Sequence, residues 1–213
     1  MGWKAFNLFA SSKSDGYFAS FPKLDSGKAR EFVATLDEHY ESCGVSSLEV
    51  GLYPKSDDEL YVGAFEHGLI LGNIPLAEEV FQHTVPKAVA HACRLYPGTE
   101  VLVVMLHSVV NLFGYAFFRG GRLMRARAGS AEDGIIVDEG AILDFERPLF
   151  AESVIEDGQR VFRRKHGDET HTFDEAAFGE EFVMEACRPF LGCRLSQFDL
   201  WDLKMELFRR DAR

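Results

Sequence analysis

The sequence predicts an α+β protein built on a mainly antiparallel sheet with about three covering helices. Three observations support this fold class. Apolar residues alternate with a period of two through the middle of the chain, which is typical of strands. The pair Gly120-Gly121 lies between two such runs, and paired glycines tolerate the positive φ angles of a tight hairpin. Elsewhere apolar residues recur at helical spacing, which predicts helices packed on the sheet.

The central stretch, residues 101–148, is predicted to form an antiparallel meander. Residues 100–106 have the pattern of a buried strand. A second strand is expected to begin at Val109, with even-numbered residues on one face and odd-numbered residues on the other. Two further short extended segments are expected over residues 134–137 and 141–145.

The strand after the hairpin alternates small or apolar residues with arginines. Met124, Ala126 and Ala128 should face one side of the sheet. Arg125 and Arg127 should face the other side, toward solvent or an anion. These two arginines are therefore candidate anion-binding residues. Solvated side chains that offset nearby acids are the alternative interpretation.

The flanking regions supply further strands and the predicted helices. Further strands are predicted over residues 3–10, 48–53, 60–65, 69–71 and 159–165. Helices are predicted over residues 26–43, 76–96 and 172–188. Pro86 should split or kink the second helix, because proline lacks an amide donor and clashes with the preceding turn. Ser26 can cap the first helix, and Thr172 with Glu175 fits a capping box. Residues 198–209 fit both a strand and a helix, so that choice stays open.

Composition is that of an ordinary globular protein. With 46% hydrophobic and 27% charged residues, the chain can bury a sizeable core. It shows no repeat, no low-complexity linker and no compositional break. Residues 1–213 are therefore predicted to form one domain.

Charge and cysteine usage restrict the partners and the compartment. A net charge of −11 argues against a nucleic-acid partner, which needs a positive field. The cysteines show no CxxC spacing and are interpreted as reduced core thiols of a cytoplasmic protein. No apolar run is long enough to span a bilayer, and no secretory signal is expected. The four cysteines are Cys43, Cys93, Cys187 and Cys193.

A polar cluster interrupts the apolar central stretch and is the candidate catalytic site. In this interpretation His107 is a base or ligand, Ser108 a hydrogen-bond donor or nucleophile, and Asp138 the orienting carboxylate. Asn111 belongs to the same cluster. The alternative is a strand connection whose polar side chains satisfy backbone groups. Opposite orientations of His107 and Asp138 across the sheet would contradict the catalytic interpretation.

Recognised enzyme and metal motifs are absent from the sequence. It contains no GxSxG, HExxH or GxGxxG pattern, and no cofactor is expected. The loop over residues 166–171 holds two histidines and two acids, but its spacing fits no zinc pattern. No metal site is therefore predicted, and an exposed charged loop is expected there.

The central stretch contains a distinctive pattern of residues. It comprises His107-Ser108-Val109-Val110-Asn111, Phe113, Tyr115-Ala116, Gly121, Leu123, Arg125, Ser130, Gly134-Ile135-Ile136, Asp138, Gly140, Leu143, Phe145-Glu146 and Pro148. This pattern resembles that of an uncharacterised, mainly actinobacterial family, a domain of unknown function. Where the family pattern favours Asp, this chain has Asn111, which removes a carboxylate. The resemblance implies a shared fold and transfers no activity.

Three functional hypotheses remain from the sequence. The favoured one is a non-catalytic binding or interaction module, one version being an immunity-type protein that neutralises a basic toxin. The second is a hydrolase-type enzyme using His107, Ser108 and Asp138 in a concave pocket. The third is a homodimer subunit joined by sheet edges or by an exposed aromatic row over residues 113–118. Enzymatic activity is left open.

Overall fold

The computed structural model describes residues 2–13, 15–36, 39–82, 86–167 and 169–210, except for the side chains of Gln82 and His166. Within these residues the chain alternates between strands and short helices. The strands are β1 (Lys4–Ser11), β2 (Tyr40–Ser47), β3 (Glu59–Ala64), β4 (Gly68–Gly72), β5 (Glu100–His107), β6 (Leu112–Arg119), β7 (Arg122–Ser130), β8 (Gly134–Gly140), β9 (Ser153–Glu156), β10 (Gln159–His166), β11 (Glu169–Asp174) and β12 (Lys204–Arg210). The α-helices are α1 (Ser26–Val33), α2 (Leu48–Gly51), α3 (Ile74–Glu79), α4 (Lys87–Leu95), α5 (Glu146–Ala151), α6 (Glu175–Ala186) and α7 (Arg188–Leu191).

Nine strands form one antiparallel sheet in the order β2-β12-β3-β4-β1-β5-β6-β7-β8. The last strand of the chain, β12, pairs with both β2 and β3. A second antiparallel sheet has the order β11-β10-β9. The α+β class and the mainly antiparallel sheet are confirmed.

Both faces of the large sheet are covered. The face under α5, α6 and α7 buries Tyr115 and Phe182 in what we call the α6-side core. The opposite face, under α1, α3 and α4, buries Phe32 and Ala116 in the α4-side core. The predicted alternation in β6 decides which of its residues enter which core. The described residues contain more than the three helices expected.

The central meander is confirmed with two differences. Strand β6 starts at Leu112, after a short 3₁₀ helix over Ser108–Val110, and the turn glycines have positive φ as expected. A register shift between Phe117 and Phe118 places Met124 against the α6-side core, away from Ala126 and Ala128. Residues 141–145 lie outside the strands and lead into α5.

Several predicted boundaries in the flanking regions are wrong. Helix α1 ends at Val33, and its cap is Asp25, whose Oδ1 accepts from the Lys28 amide at 3.0 Å. Residues 40–47 form β2, because their pairing with β12 overrides a locally helical spacing. The segment predicted as a strand over residues 48–53 contains α2 instead.

The predictions for the C-terminal half of the chain and for Pro86 have mixed outcomes. Thr172 lies in β11, and Asp174 caps α6 by accepting from the Ala177 amide at 2.7 Å. The open choice over residues 198–209 is decided by β12, since its strand pairs with two neighbours. Residues 166–171 belong to the β10–β11 hairpin, in which Asp168 lies outside the described residues. The predicted break before α4 is confirmed, with Pro86 as its N-cap.

Cysteine burial differs among the four thiols, which are all free. Cys187 is buried, and burial raises the pKa of its thiol. Cys43 is exposed on the edge strand β2, so its assignment to the core is wrong. In the part of the chain that the structure describes, no helix has the length and apolar character needed to cross a bilayer.

Tyr96 gives the fold an alkaline limit that can be measured. Its hydroxyl donates to the Phe65 carbonyl at 3.0 Å, and burial raises its pKa to about 12. Below pH ~10 the tyrosine is neutral in both states, and its stabilisation is complete. As pH rises from ~10 toward the folded pKa, only the unfolded state ionises, so stability falls by roughly 1.4 kcal/mol per pH unit.

Tyr96→Phe removes this titration and the hydrogen bond together. At pH 7 the variant should be less stable than the parent by about 1 kcal/mol. Urea denaturation at several pH values between 7 and 11.5 should show the difference shrinking and then reversing above pH ~10. A constant difference across this range would contradict the assignment.

Candidate functional site

Strand β7 directs Arg125 and Arg127 into the protein. They alternate with Ala126 and Ala128, which enter the α4-side core, so both guanidinium groups project toward α5 and α6. Each arginine side chain is only 2% exposed. Arg125 and Arg127 therefore share one face of the strand as predicted. That face is buried, and both arginines are ion-paired with acidic side chains there.

Arg125 is held by the fully buried Glu146. The Arg125 Nε donates to both carboxylate oxygens of Glu146, at 3.0 and 3.1 Å. The Tyr115 hydroxyl and the Leu143 amide each donate to the same carboxylate at 2.6 Å. Burial, followed by the adjacent Glu146 charge, raises the pKa of Tyr115. Burial lowers the pKa of Arg125, but the neighbouring acids raise it more, so the guanidinium stays charged.

Arg127 lies beside Arg125 and bridges two carboxylates. It donates to Asp138 on β8 and to Glu175 at the start of α6. Its guanidinium carbon lies 5.2 Å from the ring centre of Phe150 and 5.7 Å from that of Phe182. Among the described residues, its buried Nε has no hydrogen-bond partner.

These groups form the floor of a cleft of about 490 Å³. Asp138 is 46% exposed and also accepts from Arg125 at 2.6 Å. Arg160 on β10 is 36% exposed; it donates to the Ser153 hydroxyl at 2.7 Å and pairs with Glu175 at 3.4 Å. The cleft is lined by Arg125, Arg127, Asp138, Gly140, Ile142, Phe150, Ile155, Gly158, Arg160 and Glu175. Its volume is in the range of small-molecule sites.

The structure separates His107 from Asp138. Along β5, Met105 enters the α4-side core, so His107 projects to that side, where its ring lies 6.2 Å from Tyr53. Asp138 contacts Arg125 and Arg127 on the α6 side. The hydrolase arrangement of His107, Ser108 and Asp138 is therefore not assembled.

Ser108 and Asn111 support the chain connection between β5 and β6. The Ser108 Oγ lies 3.0 Å from the Trp3 amide and 2.5 Å from the Glu180 carboxylate. Asn111 ends the 3₁₀ helix with a φ of +48°, a conformation that asparagine tolerates well. The buried His107 Nδ1 has no partner within the described part of the chain. The Ser108 contact matches the structural alternative for the polar cluster, whereas His107 leaves a buried ring nitrogen unpaired among the residues described.

Sequence reasoning identified Arg125, Arg127 and Asp138, but not the other acids that pair with these arginines. Glu146 appeared only within the family pattern, and Glu175 only as a helix cap. Arg125 and Glu146 are 21 residues apart, and Arg127 and Glu175 are 48 apart. No local spacing signals such contacts, since they depend on how α5, α6 and β10 pack on the sheet.

Metal binding has no support in the described residues. They contain no group of three or more His, Cys, Asp or Glu side chains arranged to hold an ion. In the β10–β11 hairpin, the His171 Nε2 lies 3.7 Å from a carboxylate oxygen of Glu169.

The fold and the cleft define an α+β protein with buried arginine–carboxylate pairs beneath a surface cleft. The model of a family of unknown function, DUF6928, matches residues 5–208, so the chain belongs to this family. No curated protein and no solved structure shows significant similarity to the chain. The family carries no established activity.

Proposed function

We propose that this protein is a non-catalytic binding module that binds a small polar ligand in the cleft above Arg125 and Arg127. One observation carries the proposal: ion-paired Arg127, Asp138 and Glu175 form the floor of a cavity whose wall includes the apolar side chains of Ile142, Phe150 and Ile155. Such a combination of a few placed polar groups with apolar surface is typical of ligand sites.

The electrostatics of the floor favour binding over proton transfer. Both oxygens of Asp138 accept from guanidinium groups, and Glu175 pairs with Arg127 and Arg160. The two arginines fix the position of Asp138 but occupy only one lone pair on each of its oxygens, so the carboxylate can still accept from a ligand donor. The Arg125–Glu146 pair beneath it keeps the floor in place before a ligand arrives.

Two further assignments belong to the proposal. Residues 1–213 are taken as one domain, which is supported by the insertion of the C-terminal β12 between β2 and β3. A cytoplasmic location is supported by the four free cysteines. A homodimer joined through the aromatic residues of β6 is not favoured, since Phe113, Phe117 and Phe118 are buried within the protein.

The binding proposal is tested by blocking the cleft from its rim. Ile155 is 61% exposed, so Ile155→Trp should fill the mouth of the cleft with little effect on stability. The matched control is Val45→Trp on the distant edge strand β2, where Val45 is 63% exposed. Saturation-transfer NMR would compare small carboxylates, amines, amino acids and sugar phosphates against all three proteins.

We expect a subset of these compounds to bind the parent and Val45→Trp, and to lose at least tenfold affinity for Ile155→Trp. Compounds that bind all three proteins equally, or no binding at all, would overturn the proposal. Co-purification of one stoichiometric basic protein that stays bound to Ile155→Trp would favour the immunity-type hypothesis instead.

A further inference from the structure

The ion-pair network in and beneath the cleft is electrically balanced. Its three cations and three acids are Arg125, Arg127 and Arg160 with Asp138, Glu175 and Glu146, the last of which lies buried below the cleft. A ligand with one net charge would leave that charge unbalanced in a partly desolvated cleft. A ligand with one positive and one negative group keeps the assembly neutral. The charge balance therefore favours a zwitterion.

The accessible groups offer one partner of each sign. Asp138 is the more exposed carboxylate at 46%, and Arg160 is the more exposed guanidinium at 36%. Arg125 and Arg127, at 2%, are shielded from solvent and act mainly through Asp138 and the floor. An ammonium group would pair with Asp138, and a carboxylate group would pair with Arg160.

Three apolar side chains, Ile142, Phe150 and Ile155, contribute to the wall of the cleft beside the charged groups. Ile142 and Ile155 are 46% and 61% exposed and leave branched aliphatic surface at the cleft. Phe150 contributes an aromatic ring, over which the Arg160 guanidinium stacks at 5.2 Å. An aliphatic side chain on the ligand would cover this surface and gain hydrophobic stabilisation.

We propose that the cleft binds a small zwitterion of the amino-acid class that carries an apolar side chain. This inference rests on the proposed function, because it names the ligand class for the same cleft. Asp138 recognises the ammonium group, Arg160 the carboxylate, and Ile142 with Ile155 the side chain.

The test is a matched ligand series measured by isothermal titration calorimetry on the intact protein. L-isoleucine has both charges, N-acetyl-L-isoleucine lacks the ammonium group, and L-isoleucinamide lacks the carboxylate. L-isoleucine should bind at least tenfold more tightly than either derivative. Arg160→Gln should reduce the advantage over the amide, and Asp138→Asn the advantage over the acetyl compound, each by about tenfold.

The parent protein alone decides the main point, so variants that fold poorly do not weaken the test. Equal binding of L-isoleucine and either derivative, or no binding of L-isoleucine, overturns the zwitterion inference. If L-isoleucine fails while other compounds bind in a manner sensitive to Ile155→Trp, the binding function stands and only the ligand class is wrong. If no compound binds in that manner, both proposals fail.

Discussion

Glu146→Gln should lower the free energy of unfolding by about 3–5 kcal/mol, since it removes one partner of a buried ion pair. Glu146 is fully buried, and its partner Arg125 is 2% exposed. The variant leaves the Arg125 charge inside the protein, where Asp138 alone balances it while also pairing with Arg127. The acceptor for the Tyr115 hydroxyl changes at the same time. Urea denaturation at pH 7 would measure the loss.

The control for this prediction is an exposed ion pair. Arg119 and Glu100 lie 2.6 Å apart, with their side chains 66% and 36% exposed. Glu100→Gln should cost less than about 1 kcal/mol, because solvent already screens the pair. Similar losses for Glu146→Gln and Glu100→Gln would show that burial does not set the strength of the Arg125–Glu146 interaction.

Gly179→Ala should destabilise the protein by about 2 kcal/mol, although alanine is the better helix former. Gly179 lies inside α6, where an alanine would ordinarily stabilise the helix by about 1 kcal/mol. A Cβ atom at this position would lie 2.0 Å from Cδ1 and 2.1 Å from Cγ of Phe113 on β6. The helix must then move away from the sheet, and overpacking of this kind costs roughly 1–3 kcal/mol or more.

Gly27→Ala in α1 is the matched helix control. Its Cβ would meet only the Asp25 Oδ1, at 3.2 Å, and that carboxylate can shift by a few tenths of an ångström. Thermal and urea unfolding of both variants should therefore give changes of unequal size, with Gly27→Ala within about 0.5 kcal/mol of the parent. Stabilisation by Gly179→Ala would contradict the close packing of α6 on β6.

Local patterns in the sequence were sufficient to predict β6, its two faces and the β6–β7 hairpin. Period-two alternation assigned the two faces of β6 correctly, because every second side chain of a strand must share a face. The paired glycines located the β6–β7 turn for the same kind of local reason. The helix predicted through residues 40–43 is wrong because the pairing of β2 with β12 outweighs local spacing.

The candidate site shows the same division. The sequence by itself determined that Arg125 and Arg127 share a face and that Asp138 belongs to the same meander. Only the tertiary structure decided that these groups meet Glu146, Glu175 and Arg160, and that His107 lies across the sheet. Strand alternation is a property of neighbouring residues, whereas a buried charge takes its partner from whichever element packs above it.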